Sequence, residues 1–262
     1  MNIKYCFFLL ILGLSVSCAS QRMAVKTSLP RESAPAATAT PIPVPPVPVL
    51  TDEQLLGFVR PPEMISDPQT GQLALPAVMR AFGRLKEQAK ADGWNLILVS
   101  GYRSYRDQRR VWNQSDDSYL QRGATNQKKR VKAVMSLVSV PGLSRHHWGT
   151  ELDISESSLR GQLVNVEPDT PGKVLKFYAW MQNNAPQYGF CQVYLGRKGS
   201  VHSEPWHWSF LPYSKKYQRQ FMAIKDFKRI FDINVEDVDY LMKNFTRILK
   251  SEKNSINPAC GD

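Results

Sequence analysis

Seven prolines fall at positions 30, 35, 41, 43, 45, 46 and 48, among Ala, Thr, Ser and Val. A stretch of that composition has too little apolar surface for a core and favours extended polyproline geometry, so it breaks the chain into parts that cannot share a packed element. Residues 18–50 read as a semi-rigid spacer, and the globular part begins near Thr51. The 262 residues therefore offer roughly 210 for a folded domain. The whole sequence is 42% hydrophobic and 10% aromatic, enough apolar material for a packed core, which excludes a wholly disordered or collagen-like chain.

Upstream of the spacer lie Lys4, an apolar run from Phe7 to Leu14, and then small residues. Residues 1–17 have the build of a secretory signal and are short for a membrane span. Ser15-Val16-Ser17 suits ordinary cleavage, and Cys18 resembles the lipobox cysteine of bacterial lipoproteins, although Leu14 lies one residue further back than usual. Lipidation at Cys18 and plain secretion would cut the same bond. The expected location is outside the cytoplasm, lipid-anchored to a bacterial membrane and facing the periplasm or cell wall. In a Gram-negative cell that would be the outer membrane.

Within the folded part, Val78, Phe82, Leu85 and Ala89 recur at helical spacing over 75–91, ending at Asp92-Gly93. Trp94 to Ser100 reads as a buried strand, and Ser104 to about Gln114 as a helix. A polar, basic segment over 115–135 reads as an insertion loop near a cleft mouth. A further helix is expected over 173–184 and a strand from Tyr188 to Leu195. The tail, 215–251, holds two amphipathic helices, one using Tyr217, Phe221, Ile224 and Phe231, the other Val235, Val238, Met242, Phe245 and Leu249. These tail helices are expected to pack against the main domain without contributing chemistry. The irregular mixture indicates an α+β fold: a small mixed or antiparallel sheet flanked by helices, with a C-terminal helical tail.

The four histidines, His146, His147, His202 and His207, all fall within 62 residues and beside carboxylates. They lie in Ser144-Arg-His-His-Trp-Gly-Thr-Glu-Leu-Asp153 and Val201-His-Ser-Glu-Pro-Trp-His-Trp208. A hydrolytic metal site needs about three nitrogen or oxygen ligands and an open position, which two His and one Asp can supply. A free carboxylate nearby can then take a proton during attack on a carbonyl.

Ser-x-His-x-x-Gly-x-x-x-Asp at 144–153 and Glu-x-x-His at 204–207 resemble the zinc D-alanyl-D-alanine carboxypeptidases of the VanY type. Ser100-Gly-Tyr-Arg-Ser-Tyr-Arg-Asp-Gln108 is similar to that family's third motif, and Pro141-Gly142 and Asn184–Phe190 also fit. The likeness runs from about residue 73 to 212, which assigns 51–212 to a catalytic domain with a zinc cleft and 213–262 to the helical extension. It implies one zinc ion per chain on His146, Asp153 and His207, with Glu204 as general base. It also implies Arg103 as the group that engages the substrate carbonyl or carboxylate and stabilises the oxyanion. Gln108 and Ser144 match positions that hold the peptide end.

His147 is one residue off the ligand position and is expected behind the ligands or on the surface, while His202 lies outside the matched motif. The family often has Ala where this chain has Glu151. On a strand, residues 151 and 153 share a face, so Glu151 would lie near the metal and be drawn aside by Arg145 or Arg106. Trp148, Trp206 and Trp208 are expected to divide between core and cleft wall. Cys191 and Cys260 either pair or remain free thiols.

The resemblance implies a peptidase of peptidoglycan stem peptides that removes the last D-Ala of a D-Ala-D-Ala end. An endopeptidase or an L,D-carboxypeptidase on the same site, or a non-catalytic wall-binding lipoprotein, remain alternatives. The net charge of +11, with an excess of six positive charges over 101–132, would ordinarily suggest nucleic acid. In an exported, tethered chain it instead suits the carboxylates of a cell wall. The lipid would make the membrane a second partner, and the expected state is a monomer.

Overall fold

The computed structural model describes residues 45–196, 199 and 201–261; the signal, Cys18 and most of the spacer lie outside the described residues. Helix α1 (Asp52–Leu55) opens on a reciprocal cap, in which the Thr51 hydroxyl accepts from the Gln54 amide and the Gln54 side chain accepts from the Thr51 amide. Strands β1 (Ile65–Ser66) and β2 (Leu73–Ala74) form a short antiparallel pair. Helix α2 (Pro76–Ala91) begins with proline in its first turn and buries Val78, Phe82, Leu85 and Ala89, as their spacing predicts. Strand β3 (Leu96–Ser100) starts two residues later than expected, because the Trp94 amide still bonds back to Ala89 and closes the helix end.

Helix α3 (Tyr105–Gln121) is capped by the Ser104 hydroxyl, which accepts from the Asp107 amide, and runs well past Gln114. The segment expected as an insertion loop over 115–135 is instead the end of α3 and a second helix, α4 (Gln127–Val134), capped by Asn126. Its polarity is misleading because the charges are paired inside. Arg130 reaches Asp116 at 2.8 Å and Asp237 at 2.8 Å, all three buried or nearly so. A basic residue that looks like loop chemistry is thus the pin between α3, α4 and the tail.

Strand β4 (Glu151–Glu156), helix α5 (Gly172–Asn184), strand β5 (Phe190–Gln192) and strand β6 (His207–Phe210) complete the central layer. The sheet order is β3-β4-β6-β5, and every pair is antiparallel. The fold is therefore α+β, as expected. The strand anticipated over 188–195 is shorter, with only isolated bridges from Tyr194 to Ile256 and from Leu195 to Ser203 beyond Gln192. Trp148 and Trp208 are buried in the core.

The tail begins inside helix α6 (Leu211–Ala223) and continues through α7 (Val238–Lys243) and α8 (Phe245–Ser255). Tyr217, Phe221, Ile224, Ile230, Leu241 and Ile248 belong to the same apolar cluster as α2 and the sheet, so the extension shares the domain's core. Cys191 and Cys260 form a disulfide that ties the end of the tail to β5, closing a separation of 69 residues. In a chain-entropy account, a loop of that length is worth about 4 kcal/mol.

One tail residue does more than pack. Glu252 on α8 is 8% exposed, with one carboxyl oxygen lacking a hydrogen-bond partner and the other 3.5 Å from the Ser139 hydroxyl. Burial, assisted by the negative charge of Glu204, pushes its pKa up to about 8. An ordinary glutamate titrates near 4.3, so the folded state holds this proton more tightly than the unfolded chain. The resulting stability is complete below pH ~4.3 and is lost as pH rises through about 8. Urea unfolding at pH 5 and pH 9 should show a larger loss for the wild type than for Glu252→Gln. Equal losses would show that Glu252 does not carry this proton.

Candidate metal and active site

The turn Ser100-Gly-Tyr-Arg works because its glycine lets two backbones touch. A Cβ on Gly101 would lie 2.2 Å from the Leu73 carbonyl, so only glycine fits. The approach lets the Tyr102 amide donate to Leu73 at 2.6 Å and the Gly101 amide donate to the Gln72 side chain at 3.2 Å. Arg103 then leaves the end of β3, with its amide donating to the His146 carbonyl at 3.1 Å. The second motif is a single helical turn, Arg145–Trp148, closed by Gly149 at φ +69°, a left-handed conformation that suits glycine. That turn delivers His146 and feeds directly into β4.

Pairing of β4 with β6 sets Asp153 opposite His207. His146, Asp153 and His207 thereby offer three ligand atoms that all lie within 4.8 Å of one another, and all three residues are buried. His146 Nε2 is 3.4 Å from Asp153 Oδ2, and His207 Nδ1 is 3.5 Å from Asp153 Oδ1. Ligand atoms held ~2.1 Å from one tetrahedral ion would be ~3.4 Å apart. His146 Nε2 and Asp153 Oδ1 are buried with no hydrogen-bond partner, an arrangement that costs free energy unless something else coordinates them. The donor set fits a divalent metal ion.

The remaining nitrogen of each histidine is already engaged. His146 Nδ1 donates to the Gly101 carbonyl at 2.7 Å, which leaves Nε2 with its lone pair facing the cluster. Burial, reinforced by the nearby Arg103 charge, depresses its pKa to about 4, so it is a neutral imidazole. His207 differs. Burial works against its charged form, but hydrogen bonds to Glu151 and Glu204 outweigh that and lift its pKa to about 9. A proton and a cation would thus compete for Nδ1. Asp153 is held well below the usual carboxylate range: burial opposes ionisation, but His146, His207 and Arg103 prevail.

Glu204 stands at the rim of this set, its carboxylate 3.2 Å from His207 Nδ1. Burial raises its pKa, while the His207 hydrogen bond pulls the other way. Arg103 sits across from it, with one amino group 3.4 Å from Asp153 Oδ2 and the other donating to Gln108 Oε1 at 2.9 Å. Gln108 is fully buried and donates onward to the Ser139 carbonyl at 2.8 Å, so both ends of its amide serve to aim the arginine. Ser144 lines the same cleft of about 360 Å³, together with Trp206, Tyr194, Val111, Leu137 and Val138. A larger groove of about 780 Å³ lies against α6 and α8, and no His, Asp or Glu among the described residues lines it.

Every residue expected at the site therefore faces one cleft: His146, Asp153, His207, Glu204, Arg103, Gln108 and Ser144. His147 is buried behind it as a brace. Its Nδ1 donates to the Arg103 carbonyl at 2.7 Å, and its Nε2 accepts from the Gly142 amide at 3.1 Å. His202 is exposed and outside the cluster. Glu151 pairs with Arg145 at 3.2 Å and is not among the partners of Arg106. It is not drawn aside, however, because its second oxygen is 3.1 Å from His207 Nε2. Sequence reasoning missed Tyr194, which meets the His207 ring edge-on at 5.0 Å between centroids, and the 137–139 segment of the wall. Neither carries a local motif; only the fold brings them there.

The sequence model of the VanY family, D-alanyl-D-alanine carboxypeptidase, matches residues 72–213, more than half of the chain. An uncharacterized protein of Haemophilus influenzae is 34% identical over 93 residues, covering 33% of this chain and 71% of that one. A D-alanyl-D-alanine carboxypeptidase of Enterococcus faecalis is 29% identical over 130 residues, covering 48% of this chain and 44% of the relative, so less than half of that enzyme's length is spanned. Among solved structures, VanYB in complex with D-alanine-D-alanine aligns with a TM-score of 0.49 at 24% identity, over 60% of this chain and 83% of the other. The family match covers all seven cleft residues, and the chain belongs to the VanY family of D-alanyl-D-alanine carboxypeptidases.

Proposed function

We propose that the protein is a zinc-dependent peptidase of bacterial peptidoglycan that removes the terminal D-Ala from D-Ala-D-Ala stem peptides. The observation that carries this reading is the buried His146, Asp153 and His207 cluster, with unpartnered ligand atoms and with Glu204 and Arg103 on its open side. A zinc ion held by those three residues would acidify a water molecule and polarise a substrate carbonyl.

The chain's own residues supply the rest. Glu204, with its pKa raised by burial, takes a proton on its carboxylate during attack and returns it to the departing amine. The Arg103 guanidinium, aimed by Gln108 and braced through its carbonyl by His147, holds negative charge on the substrate. Asp153 shares that guanidinium, so Arg103 is not free to swing out of the cleft. Trp206 and Tyr194 limit water at the cleft's side, and the apolar wall of Val111, Leu137 and Val138 suits an alanine methyl.

The same reading includes export and a lipid at Cys18. Three hydrogen bonds seat the end of the spacer along α6: Tyr213 to the Pro45 carbonyl at 3.2 Å, Lys216 to Val47 at 3.1 Å and Gln220 to Leu50 at 3.5 Å. Residues 18–45 would then span at most about 100 Å between the anchor and that seat.

Two outcomes test this. Glu204→Ala should bind zinc stoichiometrically yet lose at least about 10³-fold in release of D-Ala from a muropeptide pentapeptide; retained activity would sink the assignment of the base. Cys18→Ala should move the full chain from the detergent phase to the aqueous phase on Triton X-114 partitioning, and an unchanged distribution would rule out the anchor.

A further inference from the structure

The two histidines of the cluster are held from behind by different chemistry. His146 donates its outward N–H to a neutral carbonyl, that of Gly101. His207 presents its outward nitrogen, Nε2, to the carboxylate of Glu151 at 3.1 Å. Glu151 is 0% exposed, two residues before Asp153 on the same face of β4, and opposite Ser209 in the β4–β6 register. Its other oxygen accepts from Ser209 Oγ at 2.8 Å, Thr150 Oγ1 at 3.0 Å and Arg145 Nη2 at 3.2 Å. Arg145 is fixed in turn by Gln218 of α6, by Ser209 Oγ at 2.8 Å and by the Trp148 ring, 4.7 Å from its guanidinium carbon.

A carboxylate buried with this many donors is costly to bring into a core, and a charge-compensating arginine alone does not require a histidine contact. The contact has a consequence for the cluster. His207 Nδ1 faces Asp153 and Glu204, so a cation bound there would displace the proton from Nδ1, and the contact of Nε2 with Glu151 would keep the remaining N–H on Nε2. The hydrogen bond to an anion also makes the Nδ1 lone pair more electron-rich than a carbonyl partner would.

We propose that Glu151 is a positioning residue of the metal site: it locks the ring and tautomer of His207 and strengthens it as a ligand. This rests on the metal-site reading above and goes beyond it, because the VanY motif often has alanine here and Glu151 touches neither the ligand set's open side nor the cleft. The side chain that departs from the family pattern then has a role, and Arg145 is the counter-charge that lets it be buried.

The test is zinc affinity, measured by competition with a chromophoric chelator on the full chain. Glu151→Gln should weaken zinc binding by about 10- to 100-fold, whereas Glu204→Ala should leave it within twofold. Because Glu151→Gln leaves Arg145 uncompensated, the double variant Arg145→Met/Glu151→Leu removes the buried pair together and should show the same weakening. Zinc binding within twofold of wild type in both variants would overturn the positioning role and leave the metal site standing. A wild type that binds no zinc would overturn the proposed function as well. If neither variant folds, the wild type still decides. In the zinc-loaded protein, long-range proton–nitrogen spectra should show His207 protonated at Nε2, with that proton protected from exchange. A proton on Nδ1 would overturn the proposal.

Discussion

The pairing of β4 with β6 is the constraint on which the site depends. Asp153 and His207 are 54 positions apart in sequence, and the antiparallel register sets them directly opposite each other. Side chains alternate along a strand, so a slip of one residue would turn Asp153 and Glu151 away from His207 together. Leu152 and Ile154 alternate with them and are completely buried, which fixes the register through apolar contact on the other face. The same hydrophobic pattern that makes β4 a central strand therefore aims its two carboxylates.

Around that pairing the molecule balances buried charge. Glu151, Asp153 and Glu204 are all less than a tenth exposed, and two arginines pair with them, Arg145 with Glu151 and Arg103 with Asp153. Burial alone would protonate the carboxyls. Arg145 and His207 keep Glu151 at about 2, and His146, His207 and Arg103 hold Asp153 well below the usual carboxylate range, whereas Glu204, with no arginine in salt-bridge contact among the described residues, is raised. One fold thus yields a buried carboxylate, Asp153, that stays ionised beside two histidines and a second carboxyl, Glu204, suited to exchanging protons. Glu252 is a further buried carboxyl on the protonated side of this balance, raised to about 8 by burial and by the negative charge of Glu204.

Much of this was legible in the sequence. His146, Asp153, His207, Glu204 and Arg103 sit in short motifs whose spacing survives in the fold because each is carried by a strand end or a single turn. Helix α2 was legible from its period, since one face is apolar and the other polar. What escaped were features whose partners are distant. The 115–135 segment looked like a loop because its charges appear unpaired locally, yet Arg130 finds Asp116 fourteen residues before it and Asp237 more than a hundred residues after it. Glu252 looked like an ordinary polar position of an amphipathic helix, and only the packing of α8 beneath the site buries it. Likewise, Gln108 matched a substrate-holding position, but the structure engages both ends of its amide with Arg103 and Ser139. Pairing of Cys191 with Cys260 required their separation in space, 5.7 Å between Cα atoms, which no spacing in the sequence contains.

The proposed chemistry depends on one arrangement of His146, Asp153 and His207 around a metal ion. The measurement that tests it most directly is anomalous diffraction at the zinc edge from crystals of the protein grown with zinc. The expected result is one strong peak per chain, ~2.0–2.2 Å from His146 Nε2, His207 Nδ1 and an oxygen of Asp153, with Glu204 outside the coordination sphere. A peak at His202, a peak ligated by Glu204 in place of Asp153, or no peak in the cleft would contradict it.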